Sequence, residues 1–210
     1  VYQDTGNGRR DIDGSYVLAK KDGAVYVSFR IGAYDRSRPL VIDPVFIFST
    51  YLGSGGEDLG SGIAVDAAGN AYITGTTRSS NFPVTPGSYS TVDHNGGGSD
   101  AFVAKFSPTG ELIYSTYLGS GDAFGHVFGQ AIAVDAGGNA YAVGSTTSQS
   151  FPTTPGAFQT ALTGLRSAFI AKLNPSGSAL VYSTYLGGSS RQEAHGIAVD
   201  VSGNAFIRRA

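Results

Sequence analysis

Cysteine, methionine and tryptophan are absent from the 210 residues. Without cysteine there is no disulfide, no thiol nucleophile and no thiolate-bound metal. Without methionine there is no initiator, so the chain reads as a fragment or a processed product, and a signal peptide upstream of Val1 stays open. Charge is scarce too. Only 14% of residues are charged and the net charge is −2, which gives no basic surface for nucleic acid or an anionic membrane. No run approaches the roughly 18 apolar residues of a spanning helix. What is plentiful is glycine, at 31 residues, with 12 Tyr and 12 Phe in a chain that is 41% hydrophobic. That composition opposes disorder and favours short strands joined by tight turns.

The chain repeats itself. Ser49-Thr50-Tyr51-Leu52-Gly53 returns after 66 residues as Ser115-Thr116-Tyr117-Leu118-Gly119 and after 68 more as Ser183-Thr184-Tyr185-Leu186-Gly187. Ile63-Ala64-Val65-Asp66 keeps step as Ile132-Ala133-Val134-Asp135 and Ile197-Ala198-Val199-Asp200. A fixed period of this length marks an array of one supersecondary unit. In the first unit, strand signals fall at 62–66, 71–75, 101–106 and 112–118, each rich in β-branched and aromatic residues. Asp66-Ala67-Ala68-Gly69 fits a type I turn closed by a Gly at positive φ, with Asp bonding the backbone two residues on. Ser107-Pro108-Thr109-Gly110 and Asn174-Pro175-Ser176-Gly177 repeat the logic with Pro presetting φ. Each unit is therefore two hairpins. The link between them carries Phe82-Pro83-Val84-Thr85-Pro86-Gly87 and again Phe151-Pro152-Thr153-Thr154-Pro155-Gly156, which suggests a loop pinned to its unit, whereas residues 95–99 look flexible.

The first 45 residues are a different kind of sequence, with seven Lys/Arg and six Asp/Glu against seven and ten in the remaining 165. Ser15-Tyr16-Val17-Leu18 and residues 24–29 flank Lys21-Asp22-Gly23 as a hairpin, and Asp43-Pro44 marks the junction. The expected fold is all-β: an incomplete β-propeller of four-stranded antiparallel blades, preceded by a short β-hairpin segment. Residues 1–44 read as the end of a preceding β-rich domain and 45–210 as the partial propeller, with repeats at about 62–118, 131–186 and a truncated 196–207. A β-solenoid is the alternative, but its turns lack paired hairpins.

Together the Tyr-Leu-Gly, Gly-Ile-Ala-Val-Asp-x-x-Gly-Asn-Ala-Tyr, Phe-Pro-x-Thr-Pro-Gly and Ala-Phe-Val-Ala-Lys-x-x-Pro-x-Gly phrases resemble the bacterial β-propeller repeat family SBBP, over about residues 46–207. The Asp-turn hairpin alone also resembles NHL-type propellers. Gly32-Ala33-Tyr34 and residues 38–44 resemble the end of the domain that often precedes such repeats. The resemblance implies a large secreted or surface-attached bacterial protein and no known activity. By analogy with NHL blades the first strand is innermost and the fourth outermost, so residues 45–52 are expected to form an outer strand without inner partners. Open blade edges at both ends would invite self-association.

No residue is assigned a catalytic, cofactor-binding or metal role. Asp66, Asp135 and Asp200 recur in every unit and read as turn formers, since no calcium-loop pattern accompanies them. Lys105 and Lys172 read as snorkelling or ion-paired. His94, His126 and His195 share no repeat position and read as isolated, solvated side chains. Tyr51, Tyr117 and Tyr185, with Phe102 and Phe169, read as packing between blades. Variable loops at 88–100, 121–128 and 159–166 are the better binding candidates. The expected function is a non-catalytic extracellular scaffold that binds a surface, glycan or protein. A propeller-based polysaccharide hydrolase or lyase, and a fragment with no function of its own, remain as alternatives.

Overall fold

A computed structural model describes residues 1–209 except 7, 22–23, 42–47, 94–97, 120 and 123–124, with the backbone alone over 16–29. The chain divides into two compact units, Val1–Phe46 and Ile47–Ala210.

In the first unit β1 (Tyr2–Asp4) pairs antiparallel with β2 (Arg9–Asp11), and β3 (Gly14–Lys21) with β4 (Ala24–Ile31). The latter is the hairpin anticipated around residues 21–23; the Asp22-Gly23 turn itself and the Asp43-Pro44 junction lie outside the described residues. Gln3, 1% exposed, fastens the segment after β4. Its amide donates to the carbonyls of Asp35 (2.7 Å) and Arg38 (3.2 Å) and accepts from the Asp35 N–H (2.8 Å).

The second unit is built of three sheets. The first has the order β5 (Asp58–Val65), β6 (Ala71–Thr77), β7 (Asp100–Phe106), β8 (Leu112–Leu118). The second has β9 (Val127–Val134), β10 (Ala140–Thr146), β11 (Ser167–Leu173) and β12 (Leu180–Leu186) in the same sequential order, and the third pairs β13 (Ala194–Val199) with β14 (Ala205–Arg209). All pairings are antiparallel. The first two sheets are the four-stranded blades expected from the repeat, the third has two strands, and the propeller is incomplete. No helix among the described residues is long and apolar enough to cross a membrane.

The first strand of each sheet starts earlier than the sequence suggests and carries a β-bulge. The register slips between Gly60 and Gly62, between Gly129 and Ala131, and between Ala194 and Gly196. The extra residues are Ser61, Gln130 and His195. Glycine beside the bulge is a packing requirement: a Cβ on Gly129 would lie 2.6 Å from both the Gly75 carbonyl and Thr74 Oγ1 of the preceding sheet.

In its second and third copies the recurrent Ser-Thr-Tyr fastens the long loop over the last strand of the sheet. Thr85 donates its N–H to the Ser115 carbonyl (3.0 Å) while its hydroxyl accepts from the Ser115 N–H (3.0 Å). Thr116 Oγ1 accepts from the Ser90 N–H (2.8 Å), and Tyr117 N–H donates to the Ser90 carbonyl (3.1 Å). The Tyr117 hydroxyl donates to the Ser79 carbonyl (2.7 Å) and accepts from the Phe82 N–H (2.9 Å). Thr154, Gln159, Thr184, Tyr185, Ser148 and Phe151 repeat the set in the second sheet. The loop thereby pairs the outward edge of β8 and β12, an edge that would otherwise template association.

Residues 48–52 correct an expectation. They form no strand, and Tyr51 is fully exposed. A strand needs a neighbour to receive its backbone bonds, and no third strand lies beside this segment among the described residues. Instead Phe48 stacks on Phe106 (centroids 6.4 Å apart) and Leu52 packs with Phe82, Phe102 and Tyr117. Residues 45–47 lie outside the described residues.

Candidate functional site

Asp66, Asp135 and Asp200 are turn formers in full detail. Asp66 Oδ1 accepts from the N–H groups of Ala68 and Asn70 (both 2.9 Å), and Oδ2 accepts from Asn70 Nδ2 (2.7 Å). Asp135 and Asp200 repeat the cradle with Asn139 and Asn204. The closing Gly69 takes φ 83°, Gly138 80° and Gly203 82°, the left-handed conformation that favours glycine. They do not converge on an ion: among the described residues no group of three or more His, Cys, Asp or Glu could hold a metal.

A tyrosine two residues beyond each of the first two Asn extends the motif across sheets. The Tyr72 hydroxyl lies 3.0 Å from Asp66 Oδ2 and 3.4 Å from the Gly138 carbonyl of the next turn. Tyr141 does the same with Asp135 (2.9 Å) and Gly203 (3.3 Å). The third copy has Phe206 and lacks the hydroxyl. Burial, then the bond to Asp66 and its charge, push the Tyr72 phenol above its usual range. Burial pushes the Asp135 carboxyl up, but hydrogen bonds from Asn139, Tyr141 and Lys172 outweigh it and hold the group down to about 2. Lys172 pairs with Asp135 at 3.2 Å and lies over the Tyr141 ring, while Lys105 lies over Tyr72 at 4.9 Å.

The histidines are less isolated than their scatter suggests. His126 Nδ1 is 3.2 Å from Ser99 Oγ, and the ring stacks on Phe128. Ser99 is fully buried, and its carbonyl accepts from the Val127 N–H (2.7 Å), so the pair clasps the first sheet to the second. His195 lies 3.5 Å from Glu193. His94 lies outside the described residues. Phe169 and Tyr185 pack in the core between the first and second sheets, together with Tyr72, as expected of them. Phe102 and Tyr117 instead pack under Phe82 and Leu52.

Glu193 is a hub that single-copy reading does not reveal. It pairs with Arg166 (2.8 Å) and Arg191 (2.7 Å), and Gln130 reaches it at 3.5 Å. Burial raises its pKa, but hydrogen bonds from Arg191, Arg166 and Gln130 bring the net value below the ordinary range, so the group is held ionised. The signal available in the sequence is the alignment of Ser61, Gln130 and His195 within flanks of Gly or Ala. A polar residue that varies inside a fixed small-residue frame is the mark of a bulge.

A groove of about 390 Å³ is lined by Tyr89, Ser90, Gly119, Gly121, Ser150 and Pro152. Ser150 is set by Asp122, which accepts from the hydroxyls of Ser148 and Ser150 (the latter at 2.6 Å) and from the Gln149 N–H (3.0 Å). Tyr89 is tied to the next sheet through its N–H, which donates to the Gly177 carbonyl (2.8 Å). Tyr89, Ser90 and Gly121 come from the stretches 88–100 and 121–128, where the copies diverge most.

Residues 47–83 and 113–152 match the family model SBBP, described as a β-propeller repeat. Residues 1–45 match a domain of unknown function, DUF7948. No curated protein matches the chain. The matched family is the one that the repeat phrases resemble. Both matched stretches end at the Phe-Pro that the tyrosine hydroxyl clamps, and the second runs from β8 of the first sheet through β10 of the second.

Proposed function

From a chain that carries SBBP β-propeller repeats, we propose a non-catalytic extracellular scaffold that binds a glycan through the groove between its first and second sheets. The observation that carries this reading is the composition of that groove. The Tyr89 ring supplies an apolar stacking surface, Ser90 and Ser150 supply hydroxyls, and Gly119 and Gly121 keep the walls low. Its volume of about 390 Å³ falls within the usual range of small-ligand sites. The recurrent turn aspartates and the clamping threonine and tyrosine hydroxyls are engaged within the sheets, which favours recognition through the residues that vary. The family resemblance supports a bacterial surface or secreted location, tested by protease shaving of intact cells.

Titration of the purified chain with soluble neutral and acidic oligosaccharides, followed by amide chemical shifts, tests the binding. Shifts should centre on Tyr89, Ser90 and Ser150. Tyr89→Ala should weaken binding about tenfold, roughly 1.4 kcal/mol. Shifts elsewhere, or none with any oligosaccharide, would refute the groove. Release of new reducing ends from a polysaccharide would refute the non-catalytic reading and favour the hydrolase or lyase.

A further inference from the structure

Each sheet meets the next through the same pair of positions. Between the first and second sheets, Tyr72 on β6 shares a core with Ile132 and Val134 on β9. Between the second and third, Tyr141 on β10 shares one with Ile197 and Val199 on β13. Every such interface therefore has an aromatic half and an Ile/Val half. Among the described residues one of each is left exposed. Ile63 and Val65 on β5 are 67% and 60% exposed, although Ile132 at the same repeat position is 7% exposed. Phe206 on β14 is 62% exposed, although Tyr72 and Tyr141 are fully buried. Register confirms the equivalence: Tyr72 stands opposite Ala64, Tyr141 opposite Ala133 and Phe206 opposite Ala198.

We propose that a second copy of this chain docks head to tail on these faces, with Phe206 of one copy seated on Ile63 and Val65 of the other. Exposed apolar faces of this kind mark association sites, and this one continues an interface that the chain already forms twice. Charge favours the same pairing. Arg208 stands at the position of Thr74 and Val143. Since Thr74 lies against Gly129, Arg208 would lie against Gly60, which has no side chain and comes shortly after Glu57 and Asp58. The contact departs from the internal ones here, because a long cation replaces a small residue and must extend toward those carboxylates. Such a contact is heterologous: the two surfaces that meet are different, and each copy keeps one of each.

Light scattering on the 210-residue chain across a concentration series tests this. The mass should rise with concentration above that of one copy, and the rise should weaken with salt. Ile63→Lys/Val65→Lys and Phe206→Lys should each weaken association by at least about tenfold; all three residues are exposed, so folding should survive, as checked by far-ultraviolet circular dichroism. Mixing the two variants should restore pairing, because each retains the half that the other has lost. Arg208→Val should weaken it and reduce its dependence on salt. A chain that stays monomeric throughout, a Phe206→Lys variant that still associates with itself, or a mixture that fails to pair would each overturn the proposal.

Discussion

The first and second sheets share a turn, a loop clamp and an order of strands, yet differ in what surrounds them. The second has a sheet on each face. The first has one neighbour, and its other face is partly covered by residues 48–52 and the Phe82 loop. Ile132 and Ile63 occupy the same place in the same phrase and differ from 7% to 67% exposure. The repeat thus specifies the backbone of a sheet locally, while the burial of its side chains is decided by the neighbour. Asp135 and Asp66 make the same point electrostatically, for only Asp135 has a lysine ammonium at 3.2 Å.

The sharpest way to break this contrast is to shorten the isoleucines. Ile132→Ala should cost about 2–5 kcal/mol, the range for a buried residue that leaves a cavity. Ile63→Ala should stay within about 0.5 kcal/mol. Urea midpoints measure both, and equal losses would refute the idea that the neighbour decides. Next comes the hydroxyl that links turns. Tyr141→Phe removes a bond to a carboxylate and should cost about 1.5–3 kcal/mol by the same assay.

Acid titration gives a smaller effect. The Asp135 pKa is depressed on folding, so its contribution is complete above its unfolded value near 4 and is lost as pH falls toward about 2. Wild-type stability should fall in that window by on the order of 1–2 kcal/mol from this group, and Asp135→Asn should flatten that part of the profile. A slope unchanged by the substitution would place the acid sensitivity elsewhere. The smallest effect belongs to Phe206→Tyr. It supplies the missing hydroxyl on an exposed face and should change the stability of the monomer by no more than about 0.5 kcal/mol.

Much of the fold was legible because its determinants are local. The Asp-x-x-Gly-Asn turn, the Pro-x-Gly turn and the β-branched and aromatic strand signals at 71–75 and 101–106 are all short-range, and the structure contains each of them. The pinned Phe-Pro loop was also readable, although its partner was not: nothing local says that the Tyr117 hydroxyl reaches Phe82, 35 residues away. Residues 48–52 misled for the complementary reason. Their sequence is that of an outer strand, but a ladder is a property of two segments and no partner segment lies beside this one among the described residues. The cluster around Glu193 was invisible because Gln130, Arg166 and Glu193 come from three different stretches, and only the folded chain brings them together.

The loop clamp carries a last consequence. The fixing points are a tyrosine hydroxyl, a threonine hydroxyl and one serine backbone, all on the last strand of the sheet, and they grip the loop as far as Ser90 in the first sheet and Gln159 in the second. Beyond the grip the copies differ in length and composition without disturbing the strands beneath. The propeller is in this sense a rack of identical sockets. Foreign peptides spliced in after Val92 or Ala161 should inherit the rigidity of the frame without being asked to fold on their own.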